Sequence, residues 1–278
     1  MIAVNIQGGL GNQLFEYAFA YATAKRLHTC YVFDNSKSFI VPKYFRIPKW
    51  EKWINRLPYI RTKYRAFIAK LKADAYVDCM DCWQTPQLQK QNNAYYEGFF
   101  QSVVYFKENE PQIRKRLTLR DKYKLIFKHE YGQLYRSNKI IAVHIRRQDY
   151  LTHGKGKNLG ADDLSLPREY YIRALQSIPE YDQYKIIVVG DDIEWAKENL
   201  SNLPNAIFAH NEMIVDFQIM LNADVVICSN GTFAWWAAYL NGKKAKRIIA
   251  PKYFLGYHVE KEFPTGIYTE LNVKQVRF

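Results

Sequence analysis

Two adjacent arginines, Arg146 and Arg147, close an apolar run at Ile140–Ile145, with His144 just before them and Asp149 just after. Guanidinium groups are costly to bury without an anionic partner, and a diphosphate is such a partner. Arginine presents a rigid fork of donors to phosphate oxygens, so one of the pair can neutralise the charge that develops on a nucleoside-diphosphate leaving group as a glycosidic bond breaks. The other then shapes the loop through an Arg147–Asp149 ion pair.

Three further polar clusters follow apolar runs: GGLGNQ at Gly8–Gln13, GDD at Gly190–Asp192 and SNGTF at Ser229–Phe233. The first fails the dinucleotide fingerprint, because Leu14 stands where the third glycine belongs, and this disfavours a Rossmann dehydrogenase. Gly9 and Gly11 still let a phosphate or sugar approach the backbone, while Asn12 and Gln13 serve equally as helix caps or ligand contacts. Asp191 and Asp192 suit either a magnesium ion or the adjacent N–H donors of guanine, and with arginines already set for the phosphates, guanine fits better. Asp192 is also placed to cap a helix. Ser229, Asn230, Gly231 and Thr232 lead into a helix, a geometry that gathers backbone N–H groups and hydroxyls around an anion.

The elements that must hold these clusters are legible as an α/β pattern. Met1–Ile6 reads as a strand, Asn12–Leu27 as a helix and Tyr31–Phe33 as a strand, a βαβ opening that implies a parallel sheet. A charged helical segment runs from Glu108 to about Arg136. A second βα series starts near residue 137, with strands at Ile140–Ile145, Tyr184–Val189, Ala206–Ala209, Val225–Ser229 and Arg247–Ala250, and helices between them. All four clusters therefore fall at the carboxyl ends of strands, where open α/β sheets bind ligands.

Composition bounds the rest. The 278 residues are 48% hydrophobic and 24% charged, a globular balance long enough for about two domains. No run reaches the ~20 apolar residues of a membrane span, and Met1–Ile6 opens no signal-peptide pattern, so a cytoplasmic location is expected. Four cysteines, including the isolated pair Cys79 and Cys82, read as thiols rather than as a disulfide or zinc framework. The net charge of +13 is concentrated between Lys37 and Lys72, where eleven Lys or Arg face one acid, Glu51, and interleave with Trp50 and Trp53. Such a surface attracts anionic membrane or a lipid-linked glycan, with peripheral docking at the inner face of a membrane. Nucleic acid is disfavoured, since no recognised module is present and the basic stretch lies away from the motif-bearing half.

The set GGLGNQLFEYA (8–18), HIRRQDY (144–150), GDDIEWAKENL (190–200), DFQIM (216–220) and SNGTFAWWAAYL (229–240) resembles the α-1,2-fucosyltransferases of glycosyltransferase family 11, in motif order and over nearly the whole chain. The resemblance implies a GT-B-like fold, with two Rossmann-type domains facing each other across a cleft. Residues 1–136 would form a mainly acceptor-side domain and residues 137–278 a GDP-fucose-binding domain. It also implies inversion at fucose C1, transfer to O2 of a terminal β-galactose of a surface polysaccharide or similar glycan, and no metal or other cofactor. By correspondence Arg146 holds the β-phosphate, Asp191 or Asp192 reads guanine, and Ser229, Asn230 and Thr232 bind the diphosphate. Gly9, Gly11, Gln13, Arg147, Asp216, Gly231 and Phe233 complete the candidate donor site. The candidate catalytic set is Arg146, Asp149, His144 and Asn12, with Asp149, His144 or the leaving diphosphate taking the proton from the acceptor hydroxyl. The chain departs from the family's usual residues at Glu16, in place of glutamine, and at Gly231, Ala234 and Ala237, in place of serine, serine and glycine. The rival reading is a non-catalytic glycan- or nucleotide-binding protein.

Overall fold

The computed structural model describes residues 1–48, 58–244, 246–269 and 271–278, with the backbone alone at Ser36 and residues 58–61. Trp50 and Trp53 of the basic segment lie outside the described residues. The chain forms two compact units, residues 1–120 with 264–270, and residues 121–263 with 271–278.

The first unit is built on a parallel sheet of β1 (Ile2–Asn5), β2 (Tyr31–Asp34), β3 (Tyr76–Asp78) and β4 (Tyr95–Glu97), in the order β2-β1-β4-β3. Strands this short need their faces covered, and β1, β2 and β4 are mostly buried while β3 lies at the exposed edge. Helix α1 (Leu10–Arg26) buries Phe15, Tyr17 and Phe19. It starts two residues earlier than the sequence indicates, since Gly9 takes the extended N-cap conformation. Its end is marked by Lys25 and Arg26, which complement the helix dipole, and by His28 at φ 50°. After α2 (Val41–Tyr44), helix α3 (Pro58–Asp74) turns Tyr64, Phe67, Ile68 and Leu71 onto Ala3, Val32 and Tyr95. Tyr64, Phe67, Ile68 and Leu71 of this basic helix are thus spent on the core, whereas Lys63, Arg65, Lys70 and Lys72 are exposed. The strap at 264–270 is fixed to this unit through Thr265, whose N–H donates to Cys82 O at 2.9 Å and whose hydroxyl donates to Trp83 O at 3.0 Å.

The charged segment expected as one helix is two, α4 (Glu110–Arg116) and α5 (Asp121–Ser137). The unit boundary falls between them, sixteen residues before the expected boundary at 136/137. Helix α5 belongs to the second unit because Tyr135 OH donates to Ile219 O at 2.7 Å and Gln218 Nε2 donates to Tyr123 O at 2.9 Å.

The second unit is a doubly wound parallel sheet. Its strands are β5 (Ile140–Ile145), β6 (Lys185–Gly190), β7 (Ala206–Phe208), β8 (Val225–Ile227), β9 (Arg247–Pro251) and β10 (Lys274–Val276), ordered β10-β9-β8-β5-β6-β7. β5 is buried along its whole length, as a continuous apolar run requires at the centre of such a sheet. Helices α6 (Arg168–Gln176), α7 (Ile193–Leu200), α8 (Met213–Asn222) and α9 (Thr232–Leu240) connect the strands. β6 and β7 extend the sheet on one side of β5, whereas β8 and β9 extend it on the other, so the winding reverses between β5 and β8. No helix among the described residues is long and apolar enough to cross a membrane.

Candidate active site

In a doubly wound sheet the helices diverge where the winding reverses, leaving a crevice at the carboxyl ends of the two flanking strands. Here those strands deliver His144–Asp149 from β5 and Ser229–Phe233 from β8, two of the four polar clusters. His144 Nδ1 lies 2.6 Å from Ser229 Oγ, and both side chains are buried, so one hydrogen bond ties the two strand ends together. Burial, reinforced by the Arg146 charge, holds the imidazole down at about 3, so His144 is neutral at physiological pH.

The third cluster joins at the end of β6. A side chain at Gly190, which has φ 147°, would place its Cβ 2.0 Å from Ile145 O. Glycine therefore lets the β6 turn close onto β5, and Asp191 arrives beside the arginines. Its carboxylate accepts from Arg147 N–H and from Arg146 Nη1, each at 2.8 Å. Burial raises the Asp191 pKa, opposed by those two partners. On its other side Arg146 meets Asp149 at 2.7 Å, and its guanidinium lies 5.3 Å from the centre of the Tyr150 ring. The expected Arg147–Asp149 pair is therefore replaced: Asp149 is the partner of Arg146. Nη1 is engaged by Asp191 and Nη2 by Asp149, and the guanidinium also bonds the Tyr150 hydroxyl, which leaves part of its five donors unused; the side chain keeps 36% of its surface exposed.

Arg147 points elsewhere. Its Nε stands 3.4 Å from Asp192, its Nη1 donates to Ser165 at 3.1 Å, and its guanidinium packs 4.3 Å above Trp195. With only 16% of the side chain exposed, this arginine is a building element of the loop. Replacing it with alanine leaves Asp192 half-buried without its cation, and unfolding experiments should register a loss of about 2 kcal/mol or more. An unchanged melting temperature would show that the Arg147 ion pair carries no stability.

Several candidate residues prove to be engaged inside the protein. Asp192 caps α7, accepting from Trp195 N–H at 3.1 Å, which is the capping role its position allowed. Asn230 is buried, donating to Leu164 O and accepting from Leu255 N–H at 3.1 Å, and so pins two loops. Gly231 N-caps α9, and its N–H lies 2.8 Å from Ser229 O, so that donor is already used in a turn. Thr232 opens α9 half-buried, and the Phe233 ring packs against His144 and Phe217. Asp216, in the first turn of α8, accepts from Asn211 Nδ2 at 2.9 Å, and burial raises its pKa to about 7.

The fourth cluster lies on the first unit. Gly8 takes φ 70° in the turn after β1, Gly9 is exposed, and Gly11 is buried within α1. Gln13, read as a ligand contact or a cap, is buried, donating to Gly8 O and Ser38 O and accepting from Ile40 N–H at 2.8 Å; it shapes the turn from within. Asn12 accepts from Gln101 Nε2 at 2.9 Å. Gln101, Ser165 and Trp195 went unrecognised in the sequence, because nothing in their local spacing ties them to the motifs they support. Among the described residues no group of three or more His, Cys, Asp or Glu is arranged to hold a metal ion.

The sequence profile of Glycosyl transferase family 11 matches residues 1–262. An alpha-1,2-colitosyltransferase of Escherichia coli is 28% identical over 275 residues, covering 90% of this chain and 91% of that protein. The human galactoside alpha-(1,2)-fucosyltransferase 1 is 26% identical, covering 84% of this chain and 64% of its own length. The crystal structure of the fucosyltransferase NodZ from Bradyrhizobium is similar in fold, with a TM-score of 0.51 at 15% identity over 86% of this chain and 91% of that one. NodZ has also been crystallised with GDP. The fold is therefore GT-B-like, as the motifs implied.

Proposed function

From its membership of glycosyl transferase family 11, to which this chain belongs, we propose that the protein moves fucose from GDP-fucose to O2 of a terminal β-galactose on a glycan, with inversion at fucose C1. The observation that carries the proposal is Arg146, half-exposed where the winding reverses, held between two carboxylates and with donors to spare. As the bond from C1 to the β-phosphate oxygen breaks and the bond from C1 to O2 forms, Arg146 stabilises the departing GDP. Thr232, half-buried at the start of α9, supports the diphosphate, while buried Ser229 and His144 hold the turn that presents it. The low pKa of His144 makes it a poor proton acceptor, so the proton from O2 passes to Asp149 or to the diphosphate itself. Metal-independent turnover is part of the proposal, tested by full activity in EDTA.

The guanine assignment changes with the geometry. Asp191 and Asp192 are committed to Arg146, Arg147 and the α7 cap, whereas Asp216, in the first turn of the helix that follows β7, accepts from Asn211. Its carboxyl faces guanine N1–H and N2–H in this reading. GDP is expected to raise the melting temperature more than UDP does, and Asp216→Asn to erase most of that difference. Equal stabilisation by the two nucleotides in the wild type would refute guanine selection.

A second donor deserves comparison because one relative is a colitosyltransferase. Colitose is fucose without its 3-hydroxyl. A site that hydrogen-bonds that hydroxyl rejects the deoxy sugar by about 10⁴-fold, so turnover with GDP-fucose and GDP-colitose on one β-galactoside decides between them.

A further inference from the structure

The sheet of the first unit has a reversal of its own. β2 lies on one side of β1 while β4 and β3 lie on the other, so the crevice rule applies to the carboxyl ends of β1 and β4. Two side-chain pairs bridge those ends. Asn5, the last residue of β1, donates to Glu97, the last residue of β4, at 3.1 Å. Gln101, in the loop after β4, donates to Asn12, in the loop and helix after β1, at 2.9 Å. All four are partly exposed, and a side chain added at Gly9, in the turn after β1, would meet no atom within 4 Å, so the turn is open there.

The loop that presents Gln101 is held under strain. Phe100, the residue before it, sits at φ 49°, an unfavourable conformation for an aromatic residue, and is kept there by stacking on Phe19 with ring centres 3.6 Å apart. Strain of this kind persists where surrounding packing fixes a side chain in a required direction. The chemistry of the row is mixed. Gln101 carries an amide with both donors and an acceptor, while Glu97 accepts from Asn5 and from Tyr76 OH at 2.8 Å and pairs with Lys72 at 3.7 Å, which leaves part of its acceptor capacity. A row of planar amides and one carboxylate, without a cluster of cations, suits neighbouring hydroxyls of a neutral sugar rather than a phosphate.

The geometry points to Gln101 and Glu97 as acceptor-positioning residues that hold the hydroxyls of the β-galactoside on the first unit. The inference rests on the transferase reading given above. Its test is Gln101→Ala and Glu97→Gln, measured for galactoside KM at saturating GDP-fucose, for GDP affinity by calorimetry and for thermal stability. Removing one such hydrogen bond should raise the acceptor KM about tenfold while GDP affinity stays within about twofold. An acceptor KM unchanged in a folded variant overturns the assignment, as does a parallel fall in GDP affinity. Gln101→Ala decides the matter if Glu97→Gln destabilises the sheet edge. NMR titration of methyl β-galactoside accompanies the kinetics. A wild type that binds the sugar through Gln101 yet never fucosylates it overturns the transfer reading and leaves the subsite standing.

Discussion

Arg146→Ala is expected to lower kcat by about 10²–10³-fold while the protein stays folded. The magnitude follows from where charge develops. In the proposed transfer from GDP-fucose, the diphosphate already carries negative charge in the ground state, and further charge accumulates on the β-phosphate as the bond to C1 breaks. A donor fixed in place before the reaction strengthens its bond there without having to reorganise. Arg146 meets that condition, because Asp191 at 2.8 Å and Asp149 at 2.7 Å fix its guanidinium from two sides. Its loss therefore falls mainly on kcat and less on GDP affinity. Arg146→Lys should recover only part of the rate, since an ammonium cannot reproduce the fork that spans two carboxylates and a phosphate. Steady-state kinetics of both variants with a circular dichroism spectrum make the test, and an alanine variant that retains wild-type kcat would remove Arg146 from the chemistry.

The second large effect concerns stability. Glu16 lies fully buried in α1, its carboxyl oxygens 3.1 and 3.3 Å from Gln7 N–H. Desolvation by burial raises its pKa from 4.5 to about 9, only partly offset by that hydrogen bond, so the side chain is a neutral acid in the folded protein at pH 7. Between the two values the native state binds a proton that the unfolded state has released. Stability therefore falls as pH rises from about 4.5 to about 9 and levels off above. By linkage the cost at pH 7 is on the order of 3 kcal/mol, and near pH 5 it falls to roughly 1 kcal/mol or less. Glu16→Gln keeps an oxygen for Gln7 N–H and removes the titration. The variant should be several kcal/mol more stable than wild type at pH 8 and within about 1 kcal/mol of it at pH 5, measured by urea unfolding. Asp216 and His144 also titrate in the folded protein, but they do so in both proteins and cancel from the comparison. Parallel stability curves across this pH range would show that Glu16 is solvated or charged in the native state.

Much of the site was legible in the sequence, because what defines it is local. An apolar run followed by a polar cluster and an amphipathic helix is a strand, a ligand-facing loop and its connector, and the βα series of the second unit follows that rule from β5 to β9. The short strands β3, β4 and β10, of three residues each, carry too little pattern to stand out. The unit boundary before α5 was equally hidden, since it depends on what the helix packs against rather than on what it is made of.

Residue types and order along the chain determined the family, the βα series and the cluster in which Arg146 stands. Partners were decided only by tertiary structure. Asp149 lies three residues from Arg146 and two from Arg147, so spacing alone cannot choose between them. The choice follows from Asp191, forty-five residues away, which reaches both arginines only because β6 pairs with β5 in a register that sets Gly190 against Ile145. The same holds for Gln13 and Asn230, polar residues whose types suit a ligand but whose side chains meet backbone groups brought close by the fold. A side chain's composition states what it can bond to, whereas its direction and its neighbours are properties of strand register and helix packing, which no local stretch of sequence contains.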